Sequence, residues 1–294
     1  MDVTTRVENE LSAVLAQNAA PGHLGAEGPP GLAAALRYAV FPGGARIRPR
    51  LCLAVAQACG DDQPATANAA AAAIEILHCA SLVHDDLPCF DDADLRRGRP
   101  SVHRAFGERL AVLAGDALIA IAFQALARVG QIAPQRLIRL MLIVGRAVGG
   151  PGGIVAGQAW ECEPQVALAE YQRAKTGALF AAATMSGAVA AGRDPERWEL
   201  LGYRLGEAYQ VADDIRDAAA DVSELGKPVR RDAALGRPSA VAGYGLDGAV
   251  ACLERLVSEA VELVPVCPGT AAMRALIAAE AEKLLPKKLA RRAA

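Results

Sequence analysis

Aromatic side chains are scarce, at 4% of the chain, and strand-favouring residues never gather into runs of alternating polarity. Ala and Leu abound and 53% of residues are hydrophobic, which predicts a single all-α body rather than a sheet-based one. Charge of one sign is also missing. A formal net charge of -2 over 294 residues offers no bulk field to hold nucleic acid. The seven cysteines (52, 59, 79, 89, 162, 252, 267) form an odd set with no C-x-x-C pair. Neither a disulfide framework nor a zinc site is expected, and most should be small buried hydrophobes in a reducing compartment. Met1 to Val7 lacks the basic-then-apolar pattern of a leader. The longest uncharged run, Thr176 to Gly192, falls short of the ~20 apolar residues a spanning helix needs. The expectation is a cytoplasmic chain without stable membrane insertion, folded as one domain over residues 1–294.

What the sequence does contain is local charge. His84 to Gly98 holds five carboxylates, Asp85, Asp86, Asp91, Asp92 and Asp94, followed at once by Arg96 and Arg97. Such a mixture at the end of an apolar helix is costly unless divalent cations and a polyphosphate bridge it, because hard cations prefer carboxylate oxygens and Arg presents planar forks to phosphate. Asp85 and Asp91 are six apart and would diverge on a regular helix. Pro88 should disrupt that helix, and a bulge there would bring them together.

Several weaker signals accompany this stretch. Val7, Leu11, Val14 and Leu15 make one stripe of a helix over 3–17, the Gly- and Pro-rich residues 18–31 read as a loop, and a short helix covers 32–40. Gly43-Gly44-Ala45-Arg46-Ile47-Arg48 at a helix start is either an anion site or a solvated basic cap. The apolar runs 51–58 and 65–83 predict buried helices. On the second, His78 lies two turns before Asp85 on the same side, either beneath the acid cluster or as an ordinary core histidine. Glu75 and His78 have the i,i+3 spacing of a di-iron bundle, but no second such pair exists, so that reading is rejected. Asp116, inside the apolar run 110–126, is expected to be buried, either as a structural acceptor or as a group that supports a metal ligand.

Farther on, Gln158 and Glu161 stand one turn apart, and Lys175-Thr176-Gly177 opens a long apolar helix, as a charge at a cavity edge or an exposed kink. A helix over 196–217 ends in Gln210-Val211-Ala212-Asp213-Asp214-Ile215-Arg216-Asp217. Asp213 and Asp217 share a face, which favours a cation between them unless Arg216 compensates at a solvated end. Lys227 follows in a polar loop, then two helices near 246–263 and 270–285 and a basic tail, Lys287-Lys288 and Arg291-Arg292.

Two acid clusters about 128 residues apart, each near the end of a helix, change the weight of these signals. The chain resembles the trans-isoprenyl diphosphate synthases, and within them the geranylgeranyl diphosphate synthases of bacterial carotenoid pathways. The likeness rests on Asp85-Asp86-x4-Asp91 with Arg96-Arg97-Gly98, on Gln210-x-x-Asp213-Asp214-x-x-Asp217 with Gly226-Lys227, and on Gly43-Gly44-x-Arg46-x-Arg48, His78, Gly157-Gln158 and Lys175-Thr176 in the family's order.

The resemblance implies an isoprenoid synthase fold, one helical bundle around a central cavity, and a homodimer. It implies three Mg²⁺ per active site, two on Asp85 and Asp91 and a third on Asp213, with Asp86, Asp214 and Asp217 supporting. Arg96, Lys175 and Lys227 would assist with the allylic diphosphate, Arg48, His78 and Arg97 would hold isopentenyl diphosphate, and Gln210 and Thr176 would face the allylic cation. Many family members have Lys where Ala45 stands. Small Ala80 and Ser81, one turn below Asp85, leave room for a twenty-carbon product, with farnesyl diphosphate as the alternative. A class I terpene cyclase is disfavoured by the second motif, and a non-catalytic partner subunit by the intact acidic motifs.

Overall fold

The protein, described from a computed structural model, is defined over residues 2–19, 28–164, 168–219 and 239–283. Lys227, the basic tail and most of the expected 18–31 loop lie outside these segments. The described residues are helical apart from a two-residue hairpin and short turns. The chain divides into two compact units, Met1–Gly145 with Met185–Pro195, and Arg146–Thr184 with Glu196–Ala294.

The first unit is organised on a helix buried along nearly its whole length. The helices α1 (Val3–Ala19), α2 (Pro30–Val40), α3 (Ile47–Ala58) and α4 (Pro64–Asp85) precede the hairpin β1 (Leu95–Arg96) and β2 (Arg99–Pro100). After it come α5 (Val102–Phe106), α6 (Glu108–Ala127) and α7 (Pro134–Val148). Pro64 opens α4, where its missing N–H costs nothing. Ala69 to Ala73, Ile74, Ile76, Leu77, Cys79, Ala80 and Val83 of α4 are all buried, and α6, α3 and α1 pack around it. The expected stripe of α1 is buried at Val7, Leu11, Val14 and Leu15.

In the second unit α8 (Ile154–Ala159), α9 (Leu168–Gln172), a π-helical turn over Arg173–Gly177 and α10 (Ala178–Ala190) lead to α11 (Glu196–Ala219), α12 (Ala240–Glu262) and α13 (Thr270–Glu282). The unit boundary falls inside α10. Ala208, Val211, Ala212 and Ile215 of α11 close on Ala249, Leu253 and Leu256 of α12, each set at the three- and four-residue spacing of one helical stripe. Gly245, at φ 69°, breaks α12 near its start, so its straight part begins where the sequence pattern places it.

Three expectations change. Asp116 is not a buried acceptor: its side chain is 63% exposed, and it stands 3.6 Å from His84 Nε2. The cysteines are less uniformly buried than expected, with Cys52, Cys59 and Cys79 inside and Cys89 and Cys162 exposed. Two helical stretches, Pro64–Asp85 and Glu108–Gln131, are long and apolar enough to cross a membrane by length and composition, because sparse charges interrupt the runs without lowering the mean hydropathy. The first of these is 78% buried inside the protein and is a core helix.

Candidate active site

The first acid motif is shaped by where α4 stops. The helix ends at Asp85, three residues before Pro88, and the chain folds back on itself. Asp91 N–H donates to Asp85 C=O at 3.0 Å, Ala93 N–H to Asp86 C=O at 3.1 Å, and Asp92 N–H to Leu87 C=O at 3.0 Å. A hydrogen bond across six residues thus joins the two aspartates that a regular helix would separate. The device is a helix end and a return loop, not a bulge within a continuing helix.

The hairpin that follows brings the arginines back. Arg97 (φ 55°) and Gly98 (φ 73°) both occupy the left-handed region, as a tight two-residue turn requires, and Arg96 pairs with Arg99 across it. Arg96 Nε then donates to Asp86 Oδ1 and Oδ2 at 3.0 and 3.1 Å, with Nη2 also on Oδ1 and 3.9 Å from Asp85. Asp86 is 2% exposed. Burial raises its carboxyl above the usual carboxylate range, against the opposing pull of Arg96. Arg104, on α5, takes Asp92 at 3.1 Å and Asp94 at 2.8 Å. The five carboxylates are therefore sorted: one is buried against Arg96, two are held by Arg104, and the two joined through their backbones are Asp85 and Asp91.

The Gly43 to Arg48 tract divides its two arginines. Arg46, left-handed at φ 51°, turns inward and is neither an anion site nor a solvated cap. Its guanidinium meets Glu8 at 2.8 Å, Glu75 at 2.6 Å and Val40 C=O at 2.7 Å, and a Cβ on Gly43 would lie 2.0 Å from it. Glu75 is thus the counter-ion of Arg46, which accounts for a carboxylate on an apolar helix. Arg48 instead stands 3.5 Å from His78 Nε2, and the Arg97 guanidinium lies over Gly44. Desolvation first, then Arg48, Arg97, Arg96 and Arg46, hold the His78 imidazole well below its usual range. This neutral ring among cations is suited to an anion. Ala80 is buried on the same helix, and Ser81 donates to His78 C=O at 2.8 Å.

In the second unit the Lys175 signal sits in the π-helical turn, a feature common at functional sites because the extra residue re-aims side chains. Lys175 Nζ meets Glu161 at 2.5 Å, and Glu161 also accepts from Tyr171 Oη at 2.7 Å and Gln158 Nε2 at 3.2 Å. A Cβ on Gly157 would fall 2.4 Å from Lys175 N, so glycine lets α8 approach the turn. Thr176 Oγ1 donates to Gln210 Oε1 at 2.9 Å, and Gln210 Nε2 donates to Asp214 Oδ1 at 3.0 Å. Arg216 donates to Asp213 at 3.0 Å, so it compensates one member of the Asp213 and Asp217 pair.

Sequence reasoning missed Glu161 as the partner of Lys175, Arg104 as the cation for Asp92 and Asp94, and the Ala240 N–H against Asp214. The hairpin was signalled by Arg97-Gly98, but its strands are too short for a periodicity. In the first unit the Arg96 guanidinium stands 3.9 Å from the Asp85 carboxylate, and in the second Arg216 donates to Asp213 at 3.0 Å, so each unit sets carboxylate oxygens beside a guanidinium. Among the described residues no three His, Cys, Asp or Glu side chains converge to hold a metal unaided. That donor set fits Mg²⁺, which is commonly held by one or two carboxylates while water and substrate phosphate complete its shell.

An all-helical body carrying two aspartate motifs agrees with the class that the known relatives define: the chain is a prenyltransferase. More particularly, it belongs to the polyprenyl synthetase family, whose model matches residues 29–262. The geranylgeranyl diphosphate synthase of Cereibacter sphaeroides is 53% identical to it over 97% of this chain and 99% of its own length. That of Rhodobacter capsulatus is 51% identical, over 97% of each. Among solved structures, the Helicobacter pylori geranyltransferase complexed with magnesium and isoprenyl diphosphate matches with a TM-score of 0.78 at 31% identity, covering 96% of this chain and 97% of that one.

Proposed function

We propose that the chain is a Mg²⁺-dependent synthase that condenses isopentenyl diphosphate with dimethylallyl, geranyl and farnesyl diphosphates and releases geranylgeranyl diphosphate. The observation that carries this reading is the sorting of the acid motif, which joins Asp85 and Asp91 through their backbones while Asp86 holds Arg96. Asp85 and Asp91, and on α11 Asp213 and Asp217, are the oxygen donors for three Mg²⁺. Bound there, the cations would neutralise the departing allylic diphosphate. Arg96 and Lys175 add positive charge to that diphosphate, with Lys175 exchanging Glu161 for phosphate, and Lys227, outside the described residues, is assigned the same role. Arg48, Arg97 and neutral His78 hold isopentenyl diphosphate. Arg97, folded over Gly44, supports this where Ala45 contributes no cation. Gln210 and Thr176 present oxygen to the allylic carbons as positive charge develops, and apolar helices keep water away. Small, buried Ala80 leaves depth for a twenty-carbon chain.

The whole chain acts as one domain, since the family match runs through both compact units. We also propose a cytoplasmic homodimer without membrane insertion, in which a second copy covers exposed apolar residues such as Val112, Leu113, Ile138 and Leu142. Labelled isopentenyl diphosphate with each allylic primer, with and without Mg²⁺, tests the activity. A Mg²⁺-dependent twenty-carbon product is expected. A stop at fifteen carbons indicates farnesyl diphosphate synthase, and no incorporation without another subunit rejects the catalytic reading.

A further inference from the structure

Asp213 and Asp214 are neighbours in sequence with different surroundings. Asp213 is part-exposed on the face it shares with Asp217, whereas Asp214 is 6% exposed. Asp214 Oδ2 accepts the backbone N–H of Ala240, the first residue of α12, at 2.7 Å, and its Oδ1 accepts Gln210 Nε2 at 3.0 Å. A carboxylate only accepts, so the Gln210 amide must turn its NH₂ toward Asp214. Its Oε1 is then left for Thr176, whose hydroxyl donates to it at 2.9 Å. Having donated there, the Thr176 hydroxyl can offer only lone pairs to anything else beside it. The three groups form one oriented series, and hydrogen bonds in series polarise one another. Its reach depends on glycine: a Cβ on Gly206 of α11 would lie 2.8 Å from Gly177 Cα, so the π-helical turn and α11 touch backbone to backbone beside Thr176.

We infer that Asp214 is a positioning residue and not a metal ligand: it fixes the Gln210 amide and thereby turns the oxygen lone pairs of Thr176 toward the developing allylic cation. The inference rests on the synthase reading above, in which Thr176 and Gln210 face that cation. Without Asp214 the amide is free to invert. Inverted, it gives Thr176 a donor, the hydroxyl proton swings outward, and the positive end of the dipole meets the cation. Asp214 thus sets the sign of the dipole at the reacting carbons.

The near-isosteric Asp214→Asn variant tests this, because Ala240 and Gln210 donate to different oxygens of Asp214, Asn keeps an oxygen at only one of those positions, and the new NH₂ permits the inverted amide. Expected are a fall in kcat of about 10- to 100-fold, with KM for both diphosphates and the Mg²⁺ concentration for half-maximal rate within about twofold of wild type. Thr176→Val should give a similar fall, and the double variant should be little worse than either single one, since the two act in one series. In EDTA the Asp214→Asn melting temperature should drop, because α12 loses an acceptor, whereas Asp213→Asn should drop less. Gln210→Met serves if Asp214→Asn folds poorly: it cuts the series without touching α12 and should lower kcat at unchanged Mg²⁺ requirement. A raised Mg²⁺ requirement in Asp214→Asn or Gln210→Met, or multiplying effects of Asp214→Asn and Thr176→Val, overturns the inference. Failure of the synthase reading is seen separately, as wild-type protein that incorporates no isopentenyl diphosphate.

Discussion

The aspartate pair that closes α4 and the pair near the end of α11 share a pattern, a part-exposed first member and a buried second. They differ in what stands against the second. Asp86 meets a guanidinium through both oxygens, whereas Asp214 meets a side-chain amide and a backbone N–H. The ion pair keeps Arg96, proposed above to bind phosphate, in place and offsets the charge of Asp86. The second arrangement fixes the direction of a neutral dipole. In each motif the second aspartate is buried against protein donors and the proposed metal donors are part-exposed, so adjacent residues with identical side chains have different surroundings.

The largest effects should come from the first members. Asp85→Asn and Asp213→Asn each remove a proposed metal donor, and each should lower the synthase rate by at least about 100-fold and raise the Mg²⁺ requirement. Steady-state rates over a Mg²⁺ titration check this. A variant with near wild-type rate at low Mg²⁺ would remove that aspartate from the donor set.

The second members should separate by stability in metal-free protein. Removing one partner of a buried ion pair costs about 3–5 kcal/mol, reduced here because the Arg96 side chain is 30% exposed. Asp86→Asn should thus cost about 2–3 kcal/mol after that reduction. Asp214→Asn, which leaves one neutral donor short of an acceptor, should cost about 1 kcal/mol. Urea denaturation in EDTA measures both, and the reverse order would break the comparison.

Much of this was legible before any coordinates. Helix content, the buried character of α3 and α4, and the positions of both acid motifs follow from periodicity and composition, because a 22-residue apolar helix leaves little ambiguity. The resemblance supplied roles that spacing alone left open at Lys175, His78 and Gln210. Partners in space could not be read. Arg46 and Glu75 are 29 residues apart and Gln210 and Thr176 are 34 apart, and nothing local marks them as pairs. Asp116 was misjudged because α6 is apolar on its exposed side as well, so an apolar run did not imply burial.

A smaller effect concerns His78, which belongs with the cations beside the first motif. Its folded-state pKa lies well below the unfolded value of about 6.5, owing to desolvation and then the nearby arginines. Below pH 6.5 the unfolded chain therefore binds a proton that the native chain refuses, so stability falls as pH drops toward the folded pKa and levels off above 6.5. The slope from this group is at most about 1.4 kcal/mol per pH unit. His78→Gln should flatten that part of the stability curve between pH 6.5 and 5. An unchanged slope would mean that the imidazole is not held neutral.

The smallest effect is expected inside the densest charge. Asp92 and Asp94 belong to the same run of acids as Asp85 and Asp91, yet Arg104 holds both, and their side chains are 53% and 75% exposed. Exposed ion pairs contribute about 0–1 kcal/mol, and neither carboxylate has the backbone link that joins Asp85 to Asp91. Asp94→Asn should therefore leave the rate and the Mg²⁺ requirement within about threefold of wild type and cost at most about 1 kcal/mol. Asp92→Asn should behave the same way, apart from a small loss through His103, whose Nε2 lies 3.7 Å from it. Rates and urea midpoints for the two variants, set beside those of Asp85→Asn, decide whether the motif acts through selected members. A hundredfold loss at Asp94 would mean that the whole acidic stretch grips the substrate complex, and that the contacts with Arg104 are exchanged when it binds.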